Sequence, residues 1–283
     1  MEIKKVAVIG GGTMGNGIAH VFAQKGFDVS LIEVKKEYLD KALETISKNL
    51  DRQVKKQILK PEDKSDILKK ISGFTGVENT PADTNLVVEA VYENKEAKLN
   101  IFKILNERLP SDTIFASNTS SISITELSAA SRPEKFIGMH FMNPVPVMKL
   151  VEIIRGYSTS DDTFNTIKSV AEKLDKTPVE VFDSPGFVSN RILMPMINEA
   201  IFTLMEGVAS KEDIDTVMKL GMAHPMGPLT LADFIGLDVC LAIMEVLYNG
   251  FNDSKYRPCP LLKKMVAAGK LGRKTGEGFF IYQ

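Results

Sequence analysis

Short apolar segments alternate with longer amphipathic segments along the first half of the chain. The apolar segments lie at 3–9, 28–33, 85–91, 113–117, 135–141 and 149–154. Segments of this length are typical of buried strands, and strands that alternate with helical patterns predict a parallel sheet with helices on both faces. Residues 35–70 fall between the second and third segments and lack strand character, which predicts a helical insertion.

The pattern changes near residues 183–186, which are Asp-Ser-Pro-Gly. Beyond Phe187 the apolar residues recur at the spacing of amphipathic helices, and one such helix is predicted over 231–247. The sequence therefore predicts two domains, an α/β domain over 1–183 and an all-helical domain over 184–283.

The first predicted strand is followed directly by a glycine-rich turn at residues 10–15, Gly-Gly-Gly-Thr-Met-Gly, and then by a helical pattern. A G-x-G-x-x-G between a strand and a helix is the fingerprint of a dinucleotide-binding turn. In such a turn Gly10 permits the tight bend, Gly12 lets the backbone approach a pyrophosphate, and Gly15 lets helix and strand pack closely. Because the helix N-terminus favours phosphate, we predict that the turn binds the cofactor through Gly10, Gly12, Thr13, Met14 and Gly15.

Glu33 ends the second predicted strand, about 20 residues beyond the glycines, where the dinucleotide fingerprint has an acid. A carboxylate at this place accepts a hydrogen bond from the adenine ribose 2′-OH and repels a 2′-phosphate, so it favours NAD over NADP. One alternative is that the segment is an ordinary glycine-rich turn and Glu33 a surface acid. Another is that the site binds a flavin rather than a nicotinamide cofactor. Strand, turn, helix and acid in register predict a Rossmann-type doubly wound sheet that binds NAD.

The composition argues against several other classes of function. The 35 basic and 36 acidic residues give a net charge of −1, which does not indicate a nucleic-acid or membrane-surface partner. Two cysteines are too few for a disulfide scaffold, and three histidines are too scattered for a metal site. No apolar segment is long enough to span a membrane. We therefore expect a soluble cytoplasmic protein that binds no metal.

Histidine is the residue type best suited to the base that an alcohol dehydrogenation requires, because it titrates near neutral pH. His140 is the strongest candidate because it lies at the end of the predicted strand 135–141, and open α/β sheets bind ligands at the carboxyl ends of their strands. Glu152 lies within the next apolar segment, where a carboxylate needs a partner. If the two strands are neighbours, His140 and Glu152 can pair; otherwise Glu152 is a solvated residue of an edge strand. His20 and His224 are weaker candidates.

Four further motifs follow the glycine turn in order. They are Ser-Asn-Thr-Ser-Ser at 117–121, His-Phe-Met-Asn-Pro-Val-Pro at 140–146, Pro-Gly-Phe-Val-Ser-Asn-Arg at 185–191 and Gly-Arg-Lys-Thr-Gly-Glu-Gly-Phe at 272–279. With these motifs the chain resembles, over essentially its whole length, the short-chain L-3-hydroxyacyl-CoA dehydrogenases. Within that family it is most similar to the bacterial 3-hydroxybutyryl-CoA dehydrogenases of butyrate-forming metabolism. The resemblance implies NAD-dependent interconversion of 3-hydroxyacyl and 3-ketoacyl thioesters, with the thioester entering between the domains.

The resemblance also implies roles for individual residues. His140 matches the catalytic base of the family and Glu152 its orienting partner. Ser120 matches a residue that contacts the substrate's 3-oxygen near the nicotinamide, and Asn190 matches one that holds the thioester region. Beyond the glycine turn, the cofactor-binding residues that it implies are Glu33, Ala90, Glu93, Lys98, Ser120, Asn143 and Lys274.

The insertion at 35–70 contains eleven basic and seven acidic residues, and Lys48, Arg52 and Lys56 share one face if it is helical. The charges alone favour a solvated helix surface. The resemblance places the corresponding arm against coenzyme A, whose phosphate charges suit a basic stripe. It therefore implies that Asn49, Arg52 and Lys56 contact the CoA part of an acyl-CoA substrate.

Other functions remain open at this point. A 3-hydroxyisobutyrate or 6-phosphogluconate dehydrogenase would use an active-site lysine, and the His140–Glu152 pair disfavours that class. A lens-crystallin-like relative acting on sugar acids would not need the basic arm, and a dinucleotide sensor without catalysis would lack the base or its partner. Because the helical domain forms the subunit contact in the family, the resemblance also implies a homodimer or larger homo-oligomer.

Overall fold

Eight strands are present in the computed structural model of the protein, which describes residues 2–282. The strands are β1 (Lys5–Ile9), β2 (Asp28–Glu33), β3 (Ile71–Thr75), β4 (Leu86–Glu89), β5 (Ile114–Ser117), β6 (Phe136–Phe141), β7 (Leu150–Arg155) and β8 (Thr177–Phe182). They form one sheet in the order β3-β2-β1-β4-β5-β6-β7-β8. The order changes direction between β1 and β4, which is the switch point where doubly wound sheets bind ligands.

Helices connect these strands. They are α1 (Thr13–Gln24), α2 (Lys36–Lys55), α3 (Pro61–Lys69), α4 (Lys95–Arg108), α5 (Ile124–Ser128) and α6 (Asp161–Lys173). The predicted helical insertion is thus a pair of helices, α2 and α3. The chain divides into two compact units, Met1–Asp183 and Ser184–Gln283, and the division falls where the sequence pattern changes.

The six predicted strands are all present, with ends that differ by one or two residues. The pattern missed β3 and β8 because both are edge strands that alternate with few buried apolar residues, and β8 carries Pro178, which cannot donate a ladder hydrogen bond. The sheet is mostly parallel, as predicted, with one antiparallel pair. The strands β6 and β7 are antiparallel, while β7 and β8 are again parallel.

The core of the first unit lies between the sheet and its helices. Central strands are buried on both faces, as in β1, where Val6, Ala7 and Val8 have almost no exposed surface. Such strands appear in the sequence as continuous apolar segments rather than alternating ones. The predicted Rossmann-type fold is confirmed, and its carboxyl edge carries the ends of β1, β4, β5 and β6 together.

The second unit is helical, as predicted. Its helices are α7 (Ser189–Met205), α8 (Lys211–Thr216), α9 (Pro228–Ile235), α10 (Leu237–Phe251) and α11 (Pro260–Ala267). The helix predicted over 231–247 is in fact two helices. They are separated at Gly236, whose φ of +104° a residue with a side chain rarely adopts.

The C-terminal motif packs onto α9 within this unit. The Asp233 carboxylate accepts hydrogen bonds from the backbone N–H groups of Phe279 and Phe280, both at 2.9 Å. A Cβ on Gly278 would lie 2.0 Å from that carboxylate. A Cβ on Gly272 would lie 2.3 Å from the carbonyl oxygen of Asp233, so packing around Asp233 requires both Gly272 and Gly278. Within residues 2–282, no helix combines the length and the apolar character needed to cross a membrane.

Candidate active site

The turn after β1 has the geometry that its glycines predict. Gly10 has a φ of +95°, and a Cβ on Gly15 would lie 1.8 Å from the carbonyl oxygen of Gly10. A Cβ on Gly12, by contrast, would have no atom within 4 Å. Gly10 and Gly15 therefore make the turn tight, whereas Gly12 leaves open space beside the first residue of α1. Ala90 lies against this turn, with its backbone N–H donating to the carbonyl oxygen of Ile9 at 2.8 Å.

Glu33 ends β2 beside the turn and is held there by two backbone groups. Its Oε1 accepts from the N–H of Gly11 at 2.6 Å, and its Oε2 accepts from the N–H of Val34 at 2.9 Å. Each carboxylate oxygen has further lone pairs, so Glu33 can still accept hydrogen bonds from a ribose diol.

A cavity of about 360 Å³ joins the glycine turn to Glu33 and to one face of α2. It is lined by Gly11, Gly12, Thr13, Asn16, Glu33, Tyr38, Lys41, Ala42 and Thr45. Open backbone at a helix N-terminus suits a pyrophosphate, and the carboxylate suits a ribose without a 2′-phosphate. The residues present therefore fit the adenosine and phosphate portions of NAD.

His140 and Glu152 face each other across two neighbouring strands. They are register partners in the antiparallel pair β6 and β7, so their side chains lie on the same face of the sheet. The Nδ1 atom of His140 is 2.7 Å from the Oε2 atom of Glu152. His140 is 8% exposed and Glu152 2% exposed, so the hydrogen bond is shielded from water. Of the two alternatives for Glu152, the structure shows the paired one.

The other two histidines lie elsewhere. His20 is fully buried within α1, and burial lowers its pKa, so it remains neutral at physiological pH. His224 lies in the loop before α9 in the second unit.

Glu93 organises the loop that follows β5. Its Oε1 accepts from the hydroxyl of Thr119 at 2.6 Å and from the backbone N–H of Ser120 at 3.0 Å. The backbone N–H of Ser121 donates to the same oxygen at 3.2 Å. Burial raises the pKa of Glu93, but Lys98 and these donors outweigh that effect, so the pKa lies below its ordinary value. An ionised Glu93 thus fixes the loop that carries Ser120.

Lys98 lies beneath Glu93 and is almost fully buried. Its ammonium group is 2.8 and 3.0 Å from the two carboxylate oxygens of Glu89 and 3.1 Å from Oε2 of Glu93. A lysine has three N–H donors, and these three oxygens match them in number. Lys98, predicted from the resemblance as a cofactor contact, is placed here as the support of Glu93.

Glu89 is the residue of this network that the sequence did not single out. It ends β4, is 0% exposed, and also accepts from the hydroxyl of Ser117 at 2.6 Å and from the N–H of Val91 at 2.7 Å. Burial raises its pKa, and Lys98 opposes that rise. The available signal was a single acid inside the apolar segment 85–91.

Two side chains fix the loop after β6, which carries Asn143. Asn118 accepts from the backbone N–H of Phe141 at 3.0 Å and so joins this loop to the one after β5. The ammonium of Lys176 donates to the carbonyl oxygens of Val145 and Met148, at 2.5 and 2.6 Å. The sequence did not predict a supporting role for Asn118 or Lys176, because both act on a loop that is distant in the chain.

The predicted CoA contacts lie along α2. Arg52 donates to the side chain of Asn49 at 3.1 Å, and Lys56 directly follows the end of the helix. Lys48, the other member of the predicted stripe, forms an i, i+4 ion pair with Glu44 at 2.6 Å. Arg52 and Lys56 are both exposed at this end of α2, as is Lys55, the last residue of the helix.

Two predicted site residues belong to the second unit. Asn190 lies in the first turn of α7 and is 8% exposed. Lys274 lies in the C-terminal motif, where its ammonium is 2.6 Å from Oδ2 of Asp238. Burial and the ion pair act in opposite senses on Asp238, and the net result is a lowered pKa.

In the part of the chain that the structure describes, no three His, Cys, Asp or Glu side chains are grouped to hold a metal ion.

Comparison with known proteins places this architecture in a family. The family model of the 3-hydroxyacyl-CoA dehydrogenase NAD binding domain matches residues 5–184, and the model of the C-terminal domain of the same family matches residues 186–282. A probable 3-hydroxybutyryl-CoA dehydrogenase of Deinococcus radiodurans is 58% identical, over 98% of this chain and 100% of the relative. A 3-hydroxybutyryl-CoA dehydrogenase of Bradyrhizobium diazoefficiens is 56% identical, over 99% of this chain and 96% of the relative.

The fold has a close match among solved structures as well. The crystal structure of (S)-3-hydroxybutyryl-CoA dehydrogenase from Ralstonia eutropha superposes with a TM-score of 0.97 at 50% identity, covering 100% of both chains. Together with the glycine turn and Glu33, these matches confirm NAD as the cofactor. The chain belongs to the 3-hydroxyacyl-CoA dehydrogenase family and is an NAD-dependent oxidoreductase.

Proposed function

We propose that this enzyme interconverts acetoacetyl-CoA and (S)-3-hydroxybutyryl-CoA, with His140 and Glu152 as its catalytic dyad. The observation that carries the proposal is the buried 2.7 Å contact between Nδ1 of His140 and Oε2 of Glu152 at the carboxyl edge of the sheet. That edge also bears the glycine turn, because β1 and β6 run in the same direction. Relatives named 3-hydroxybutyryl-CoA dehydrogenase at 53–58% identity support the choice of substrate.

The dyad assigns the proton positions on His140. An ionised carboxylate only accepts hydrogen bonds, so Nδ1 donates its proton to Glu152 and Nε2 carries a lone pair. Nε2 is then the base that removes the hydroxyl proton of the 3-hydroxyacyl thioester. Glu152 stabilises the imidazolium that forms, and in the reverse direction the imidazolium protonates the developing alkoxide.

The remaining residues bind and orient. NAD, when bound, supplies the acceptor for the hydride that leaves the C3 carbon of the thioester. Glu33 and the open backbone at Gly12 hold its adenosine and phosphate portions. Ser120, on the loop fixed by Glu93, is proposed to contact the 3-oxygen, and Asn190 the thioester region. Asn143 and Lys274 complete the proposed cofactor contacts.

The CoA part of the substrate is assigned to α2. The exposed cationic groups of Arg52 and Lys56 attract the phosphates of its nucleotide, and Asn49 adds a polar side chain on the same stretch. This basic end of α2 favours an acyl-CoA over a sugar acid, which would leave these residues without a partner.

Purified protein should oxidise NADH rapidly with acetoacetyl-CoA, and far more slowly with NADPH. His140→Ala and Glu152→Gln should each lower kcat by orders of magnitude while the Kd for NADH changes little. His224→Ala is the matched control, since His224 lies in the loop before α9 and no contact with cofactor or substrate is assigned to it. Absence of turnover with NADH binding intact would support a sugar-acid dehydrogenase or a sensor instead, and equal loss of NADH affinity in the dyad variants would contradict their role.

We also propose that the protein acts in short-chain fatty-acid or butyrate metabolism, and that it forms a homo-oligomer. The second unit exposes large apolar side chains that a soluble surface seldom carries together. The most exposed of them are Leu220, Ile281, Val208, Ile192 and Met222. Light scattering on the purified protein should give at least twice the mass of one chain, and a monomeric mass would contradict this proposal.

A further inference from the structure

A lysine on α2 shares the adenosine cavity with Glu33. Tyr38, Lys41, Ala42 and Thr45 follow the i, i+3, i+4, i+7 spacing of one helix face, and all four line the cavity. We propose that Lys41 is a specificity-determining residue of the cofactor site, poised to bind a 2′-phosphate, so that Glu33 alone accounts for the preference for NAD. The proposal rests on the assignment of this cavity to the adenosine half of the cofactor.

The helix face lies very close to the glycine turn. A Cβ on Gly11 would lie 2.7 Å from the Cβ of Ala42 and 3.3 Å from the Cγ of Glu33. Lys41 directly precedes Ala42, so its backbone is held next to both the turn and the carboxylate. A lysine side chain is a flexible four-carbon stem with a compact charge at its end, which lets the ammonium group follow a phosphate placed in this cavity.

The ammonium group of Lys41 is also available. Neighbouring lysines of α2 are neutralised by acids on the same helix, as Lys36 is by Asp40 at 2.9 Å and Lys48 by Glu44 at 2.6 Å. Among the described residues 2–282, no carboxylate lies within ion-pair distance of Lys41. Its side chain is exposed at the cavity wall.

The charges of Glu33 and Lys41 act in opposite directions on the 2′-phosphate that distinguishes NADP from NAD. A 2′-phosphate would be repelled by Glu33 and attracted by Lys41, whereas the 2′-OH of NAD accepts and donates hydrogen bonds and carries no charge. Lys41 therefore contributes little to NAD binding and favours NADP. Removal of the single charge of Glu33 should therefore let the cavity bind NADP. The gain in NADP affinity should depend on Lys41.

The test measures cofactor binding alone, by titrating NADH and NADPH into the full-length protein and following cofactor fluorescence. Glu33→Gln is the first background, since its side-chain oxygen can still accept from the N–H of Gly11, and Glu33→Ala is the second. Each is combined with Lys41→Ala. Each is also combined with Lys36→Ala, which removes an equal charge from the same helix but outside the cavity.

Glu33→Gln should tighten NADPH binding about tenfold, and adding Lys41→Ala should reverse most of that gain, a change of about 1.4 kcal/mol. The Kd for NADH should change by less than about threefold on loss of Lys41 in either background. Equal loss of NADH and NADPH affinity, no loss of NADPH affinity, or the same loss with Lys36→Ala would overturn the role of Lys41. The cofactor titration needs no thioester. Its outcome is therefore independent of whether the protein turns over acetoacetyl-CoA.

Discussion

The buried ion pair between Lys98 and Glu89 gives the strongest prediction about stability. Lys98→Met keeps the length and apolar character of the side chain but removes a charge that is 1% exposed. The Glu89 carboxylate, which is 0% exposed, then keeps only Ser117 and the N–H of Val91 as donors. Breaking a buried pair from one side costs about 3–5 kcal/mol, and we expect about 3 kcal/mol because two donors remain.

The loss should depend on pH in a defined direction. Burial raises the pKa of Glu89 above its ordinary 4.5, and removal of Lys98 takes away the charge that opposes this rise. Between 4.5 and the higher folded pKa, the folded variant binds a proton that the unfolded chain has released. Stability of the variant therefore falls as pH rises through that window. The deficit should be larger at pH 8 than at pH 5.5.

Thermal unfolding followed by circular dichroism measures this loss. For a unit the size of Met1–Asp183, about 3 kcal/mol corresponds to a fall in Tm of roughly 6–12 °C. Lys103→Met, at an exposed position of the same helix α4, is the control and should be nearly silent. The double variant Glu89→Gln/Lys98→Met should recover much of the loss, because no buried charge is then left without its partner. A deficit that is equal at both pH values and undiminished in the double variant would show that the loss does not come from an unpaired Glu89 carboxylate.

Three further predictions concern the glycine turn, the dyad and α2. Gly15→Ala should destabilise the protein by about 1–3 kcal/mol or more in a melting experiment, because its Cβ would meet the Gly10 carbonyl. Gly12→Ala should keep the Tm and raise the KM for NADH. A lower Tm for Gly12→Ala than for Gly15→Ala would contradict the geometry of the turn. Glu152→Gln should lower kcat far more than it raises the KM for acetoacetyl-CoA, and Glu152→Asp should recover part of the rate; an unchanged kcat would exclude Glu152 from the dyad. Arg52→Ala/Lys56→Ala should raise the KM for acetoacetyl-CoA about tenfold at low salt, at about 0.7 kcal/mol per lost contact, and leave acetoacetyl-pantetheine unaffected. Equal effects on both thioesters would show that these residues do not contact the nucleotide.

Residues that act through local geometry could be recognised from the sequence. The turn at 10–15 depends on backbone angles and close approach within a few residues, and Gly10 and Gly15 show both. Glu33 was placed by its distance along one strand–helix–strand unit. The central strands were found because burial on both faces leaves continuous apolar segments.

Residues that act on distant parts of the chain could not be recognised in this way. The pairing of His140 with Glu152 required β6 and β7 to be antiparallel neighbours, which the sequence left as one of two alternatives. Lys176 supports a loop that lies 28–31 residues earlier in the chain, and no local pattern marks such a contact. The apolar pattern did not predict the edge strands β3 and β8 for a related reason, since a half-exposed strand contains few apolar residues.

Short-range spacing and burial therefore suffice to predict the central strands of the sheet, the dinucleotide turn and the candidate base from the order of the residues. Three contacts are visible only in the folded protein: Glu152 faces His140, Lys98 joins Glu93 to the buried Glu89, and Lys41 shares a cavity with Glu33. These contacts join segments whose separation in space is set by strand order and helix packing. Their charges could be listed from the sequence, but their partners exist only once the sheet has formed.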